Sequence, residues 1–212
     1  MAETNIPLIG TITVTACFGE VNKSLWSDYH KGIDLIGNTA VYSPCEGVIR
    51  VINNDPDGWG NYISIGDTDG IHRHILCHLK AGSIKVKVGQ KVTRSTIVAT
   101  MGATGHATGV HLHYQINRVI NGVQTPIDPC IWMGIPNKLG SYVTQNYPAK
   151  TWSQINSANA PVDGYKTKYE EEVAAHNATK ASLQSAQSEA EAIKSQLQTA
   201  NNKILAAKAA LQ

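Results

Sequence analysis

The chain has 212 residues, a formal net charge of +2, 42% hydrophobic residues and 16% charged residues. That balance is too mild to point to nucleic acid as a partner, and no apolar run approaches the ~20 residues of a membrane-spanning helix. The start, MAETNIPLIG, lacks the basic segment and long apolar stretch of a secretory signal. The expectation is a chain made in the cytoplasm that reaches any outside target by another route.

Residues 1–135 read as a mainly β domain. Short apolar or alternating runs recur at 10–17, 40–42, 47–52, 62–65, 72–79, 83–88, 96–101 and 111–117. Turn-rich stretches at 53–60, 66–70 and 102–109 separate them, the pattern of an antiparallel sheet or sandwich. No segment before Gly164 has helical periodicity. Residues 136–164, rich in Asn, Ser, Pro and Gly, read as a linker that Tyr147 and Trp152 can pin to the domain.

All 18 glycines and all 8 prolines lie at or before Gly164. Residues 165–212 are rich in Ala, Gln, Lys, Glu and Leu, which predicts one long helix. Tyr169, His176, Leu183, Ala190, Leu197, Ile204 and Leu211 recur every seven residues. Thr179, Ala186, Ile193, Ala200 and Ala207 form a second, smaller seam. Sustained heptads predict a coiled coil, hence self-association or attachment to a partner protein.

Cys17, Cys45, Cys77 and Cys130 form no CxxC pair and read as free thiols. The histidines carry the chemistry. His30 and Asp34 stand four apart around Gly32. His111 and His113 share one face of any strand that holds them. Alternation along 72–79 puts His72, His74, Leu76 and His78 on one face. Catalytic zinc takes three protein ligands and keeps a position for water. His30, Asp34 and one of His111 or His113 make such a set, leaving the other and His78 for proton transfer. No G-x-S-x-G nucleophile motif occurs.

Eight segments occur in the order found in one known family. They are VTACFGE, HKGIDL, TAVYSPCEGVIRV, GWGNYISI, LCHLK, IKVKVGQKV, MGATGHATGVHLHYQI and PIDP, spread over 13–129. The domain resembles the lysostaphin/LytM-like zinc endopeptidases, which cut peptide cross-links of bacterial peptidoglycan. The resemblance implies Zn2+ as cofactor, held by His30, Asp34 and His113. It implies His78 and His111 as the catalytic pair, on a mostly antiparallel sheet crossed by a groove. Asn38 and Asn61 are expected at the groove border and Tyr29 as a groove tyrosine. His72, His74 and His106 are extra to the family pattern. The layout leads to the expectation of a phage lysin or tail-associated lysin acting at the cell wall. The competing expectation is a non-catalytic wall-binding, activating or structural component of a phage tail or similar assembly.

Overall fold

A computed structural model describes residues 3–22, 24, 28–158 and 163–209. The β-rich reading holds. The strands are β1 (Thr11–Ala16), β2 (Ile33–Ile36), β3 (Ala40–Tyr42), β4 (Gly47–Asp55), β5 (Gly60–Asp67) and β6 (His72–Leu79). They continue with β7 (Lys91–Val92), β8 (Ile97–Thr100), β9 (Leu112–Ile120), β10 (Val123–Ile127) and β11 (Gly140–Val143). The main sheet runs β11-β1-β2-β9-β6-β5-β4-β7, with β10 paired to β9, and β3 and β8 form a separate pair. Every named pairing is antiparallel.

Side chains alternate across the sheet, so register decides which residues share a face. Leu35 faces Leu112, Ile33 faces Tyr114, and Tyr114 in turn faces Leu76. These residues are fully buried and join Ile12, Val14, Ile49, Ile63 and Ile65 in the core. Val41, Val98 and Ala99 of the small sheet, with Ile6, Leu8, Trp132 and Ile155, complete the same cluster. The opposite sequence of alternate positions, Asp34 opposite His113 opposite Cys77, belongs to the other face.

The segment expected as a linker is largely structured. Its β11 pairs with β1, and α2 (Trp152–Ala158) places Ile155 in the core. Trp152 stacks on Trp132 at 4.7 Å and on His72 at 3.9 Å, and its indole N–H donates to Asp67 at 3.2 Å. The compact unit therefore runs Met1–Ser157 rather than stopping at 135. Aromatic anchors 12–17 residues beyond that point outweigh the polar composition around them. A short helix, α1 (Pro129–Met133), was also not expected. Five residues carry no helical period; Asp128 caps it, Pro129 opens it and Gly134 ends it at φ 73°. Conversely, residues 83–88 form no strand; Lys85 N–H donates to the Val98 carbonyl and the segment is otherwise a connection.

The second unit, Ala158–Gln212, contains α3 (Asp163–Ala209), 47 residues long. At 1.5 Å per residue it spans about 70 Å. Ile193, Leu197 and Ile204 are 64%, 61% and 53% exposed. Leu211, the last heptad position, lies outside the described residues. Among the described residues no helix is long and apolar enough to cross a membrane.

Candidate metal centre

The β2–β9 register sets Asp34 directly opposite His113. His30 arrives from the turn before β2, where Gly32 lets the chain press against β9. A Cβ at Gly32 would stand 2.6 Å from the Tyr114 carbonyl oxygen and 2.7 Å from His113 Cε1 and Nε2. Glycine is thus required here by space. The result brings three donor atoms together. His30 Nε2 lies 3.2 Å from Asp34 Oδ1, His113 Nδ1 lies 3.0 Å from the same oxygen, and the two nitrogens are 2.9 Å apart.

The remaining ring nitrogens fix what these atoms can do. His30 Nδ1 is 2.9 Å from the Cys17 carbonyl, and His113 Nε2 is 3.4 Å from Gln115 Oε1. A carbonyl only accepts, so those nitrogens carry the protons. In the neutral rings His30 Nε2 and His113 Nδ1 then both point lone pairs at the Asp34 carboxylate. Three electron-rich atoms in a triangle of about 3 Å need positive charge between them. Protons supply it in one state. Burial disfavours the charged carboxylate, yet hydrogen bonds and charge interactions with His113 and His30 hold Asp34 well below the usual carboxylate range. A metal ion supplies it in the other. Ligands about 2.0 Å from tetrahedral zinc lie about 3.3 Å apart, close to the spacing found here. The donor set fits zinc: two imidazoles, one carboxylate, and hydrogen-bond acceptors already placed behind both rings.

Two further imidazoles flank the triangle. His111 Nδ1 donates to the Gly109 carbonyl at 2.9 Å, leaving Nε2 facing Asp34 Oδ2 at 3.8 Å. His78 Nδ1 donates to the Thr104 carbonyl at 2.9 Å, and its ring centre is 4.7 Å from that of His111 and 6.0 Å from that of His113. Plain alternation would leave His78 on the core face with Leu76. Instead β6 carries a bulge: Asn61 pairs with Leu79 but Ile63 with Leu76. His78 takes φ 59°, a conformation uncommon for a residue with a side chain, and turns to the metal-site face. Burial, with a smaller repulsion from His111 and His113, lowers its pKa to about 4. It is neutral near pH 7, with Nε2 able to accept a proton.

The loop after β8 holds His78 in place. Thr104 Oγ1 donates to the Leu79 carbonyl at 2.8 Å and accepts from Asn61 N–H at 2.9 Å. Asn61 therefore ties strand to loop, and its side chain donates to the Leu79 carbonyl at 3.3 Å. Asn38 is exposed and accepts from Ala40 N–H, whereas Tyr29 packs edge-on to Phe18 at 6.0 Å. His106 is exposed.

His72 and His74 stand apart from the centre. His72 pairs with Asp69 under Trp152. His74 is fully buried, with Nε2 3.1 Å from Asp67 and Nδ1 2.7 Å from Tyr114 OH. Cys45, Asp67 and His74 also offer ligand atoms within 4.8 Å of one another. Both His74 nitrogens are already engaged, and burial pushes the Cys45 thiol well up, so this is a hydrogen-bonded core pair. Burial lowers the His74 pKa despite Asp67. Below pH about 6.5 an unfolded histidine takes up a proton that buried His74 refuses, so stability falls with pH by up to about 1.4 kcal/mol per pH unit. Urea midpoints between pH 7.5 and 5.0 should fall steeply in the parent and less steeply in His74→Gln; equal slopes would count against a neutral buried His74. The four cysteines are free, and burial raises the pKa of each thiol, which leaves them poor nucleophiles.

His30, Asp34 and His113 make a two-histidine, one-carboxylate group able to hold a metal ion, with two neighbouring imidazoles, on an antiparallel sheet. Residues 28–129 match Peptidase family M23. The chain is 30% identical over 153 residues to the glycyl-glycine endopeptidase ALE-1 of Staphylococcus capitis, covering 70% of this chain and 39% of that protein. It is 37% identical over 106 residues to the peptidoglycan DD-endopeptidase ShyA of Vibrio cholerae, covering 46% and 23%. Among solved structures, the catalytic domain of lysostaphin from Staphylococcus simulans matches with a TM-score of 0.51 at 29% identity, over 57% of this chain and 91% of that one. The chain thus spans well under half the length of these two curated relatives.

Proposed function

We propose that the chain hydrolyses peptide cross-links of bacterial peptidoglycan, with zinc held by His30, Asp34 and His113. The observation that carries this reading is the triangle of two imidazole nitrogens and one carboxylate oxygen at 2.9–3.2 Å with His78 and His111 beside it. Zinc bound there supplies Lewis-acid activation of water and of the scissile carbonyl near neutral pH. His78, neutral and anchored by Thr104, presents Nε2 to take a proton from the attacking water. His111, anchored by Gly109, presents Nε2 from the other side to orient the carbonyl oxygen or pass a proton to the leaving amine. Each ring is held by its far nitrogen, so little ordering remains to be done when substrate arrives.

Alanine at His78 or at His111 should leave zinc content near one per chain while slowing hydrolysis by about 10²–10⁴. Metal analysis beside turnover on a labelled cross-link peptide checks this. Loss of metal in either variant would make that histidine a ligand instead. The two relatives' activities, glycyl-glycine and DD-endopeptidase, define the bonds to test first.

The long helix supports a further reading: a lysin of phage type, mounted on a tail or released at lysis, that assembles through residues 165–212. Exposed Ile193, Leu197 and Ile204 are the apolar groups such an assembly would cover. Light scattering of the full chain should give a multimer that Ile193→Asp with Leu197→Asp converts to monomer. A monomeric parent at high concentration would remove self-association from the account.

A further inference from the structure

On the metal-site face of β9, His113 is followed at two-residue spacing by Gln115 and Asn117, which are 3% and 5% exposed. Their side chains form a directed chain. Gln115 Nε2 donates to Asn117 Oδ1 at 2.6 Å, and Asn117 Nδ2 donates to Gln124 Oε1 on β10 at 3.0 Å. Each amide has one oxygen and one NH2 group, and in this arrangement both NH2 groups point away from His113. Gln115 is then left with Oε1 turned toward His113 and able only to accept. The N–H it meets is His113 Nε2, at 3.4 Å.

We infer that Gln115 is a positioning residue for His113, with Asn117 and Gln124 as its support. It selects the tautomer with the proton on Nε2, and so keeps the Nδ1 lone pair directed at His30 and Asp34. The inference rests on the metal-centre reading above and adds a residue to it. No part of β-pairing requires these amides, since β9 pairs through its backbone with β2, β6 and β10. An acceptor behind a metal-binding imidazole fixes its ring and raises its basicity, and losing one weakens metal binding by about 10–100-fold.

The test uses the full chain and two substitutions. Gln115→Met keeps the length and removes the acceptor, whereas Gln115→Glu keeps an acceptor oxygen. Zinc affinity is read by competition with a coloured chelator, after thermal unfolding confirms that each variant folds. Gln115→Met should weaken zinc by about 10–100-fold and Gln115→Glu should stay within a few-fold of the parent. Nitrogen-15 NMR of the metal-free parent at pH 8 should show His113 protonated on Nε2, a readout that survives even if a variant fails to fold. Zinc affinity unchanged in folded Gln115→Met, or a parent His113 protonated on Nδ1, would overturn the inference. Intact sacculi alongside the expected zinc and NMR results would instead remove the endopeptidase reading and leave this one standing.

Discussion

Replacing His113 with alanine is expected to abolish hydrolysis and stoichiometric zinc together, while the protein stays folded. His113 provides one corner of a triangle whose other corners lie 2.9 and 3.0 Å away. Two remaining ligands do not hold zinc against buffer, and a zinc ion contributes several kcal/mol to charge stabilisation in the transition state. At 1.36 kcal/mol per tenfold, a rate loss of at least about 10³ follows. Asp34→Asn should behave alike, because it removes the only negative charge in the triangle. Elemental analysis with a turnover assay reads both effects. Full activity with full zinc in His113→Ala would dismiss the triad.

The second large effect is at Gly32, which contributes no chemical group. Its substitution by alanine puts a methyl against the Tyr114 carbonyl and the His113 ring, in positions where neither backbone nor ligand has room. Either β2 separates from β9 at the Ile33–Tyr114 pair or the His113 ring is displaced. Overpacking of this kind costs about 1–3 kcal/mol. A ligand moved by even part of an ångström also loses metal affinity, so a tenfold or greater weakening of zinc accompanies it. Denaturant unfolding and chelator competition on Gly32→Ala measure the two separately. Parent-like values in both would show that the close approach of β2 to β9 is not needed.

The residues that the structure gathers around Asp34 were legible because two short patterns obey simple geometry. His111-x-His113 is a strand spacing, and the glycine within His30–Asp34 permits the turn. Family resemblance chose His113 over His111 as the ligand, and the structure brings His113 Nδ1 into the triangle while His111 stands 3.8 Å from Asp34. The placement of His78 was only half legible. Alternation assigned it to the face of His72 and His74, and the bulge that turns it away leaves no mark in a single sequence. Gln115 and Asn117 were overlooked because neutral amides signal nothing by composition. Their one clue was spacing, since 115 and 117 continue the His113 face.

Local composition misled at the domain edge. Residues 136–158 look like a linker, but Tyr142, Tyr147, Trp152 and Ile155 pack against the domain core. A few large side chains outweigh many polar ones when apolar area is what decides. The long helix was clear for the opposite reason: helix formers without glycine or proline leave the backbone no competing structure.

Digestion of purified sacculi with different cross-link types, with and without chelator, tests the central claim most directly. Mass spectrometry of the released fragments identifies the bond that is cut. The account predicts cleavage that a chelator stops and zinc restores, at a glycyl-glycine or a D-alanyl cross-link. Intact sacculi of every type, from protein with zinc bound at one per chain, would contradict it.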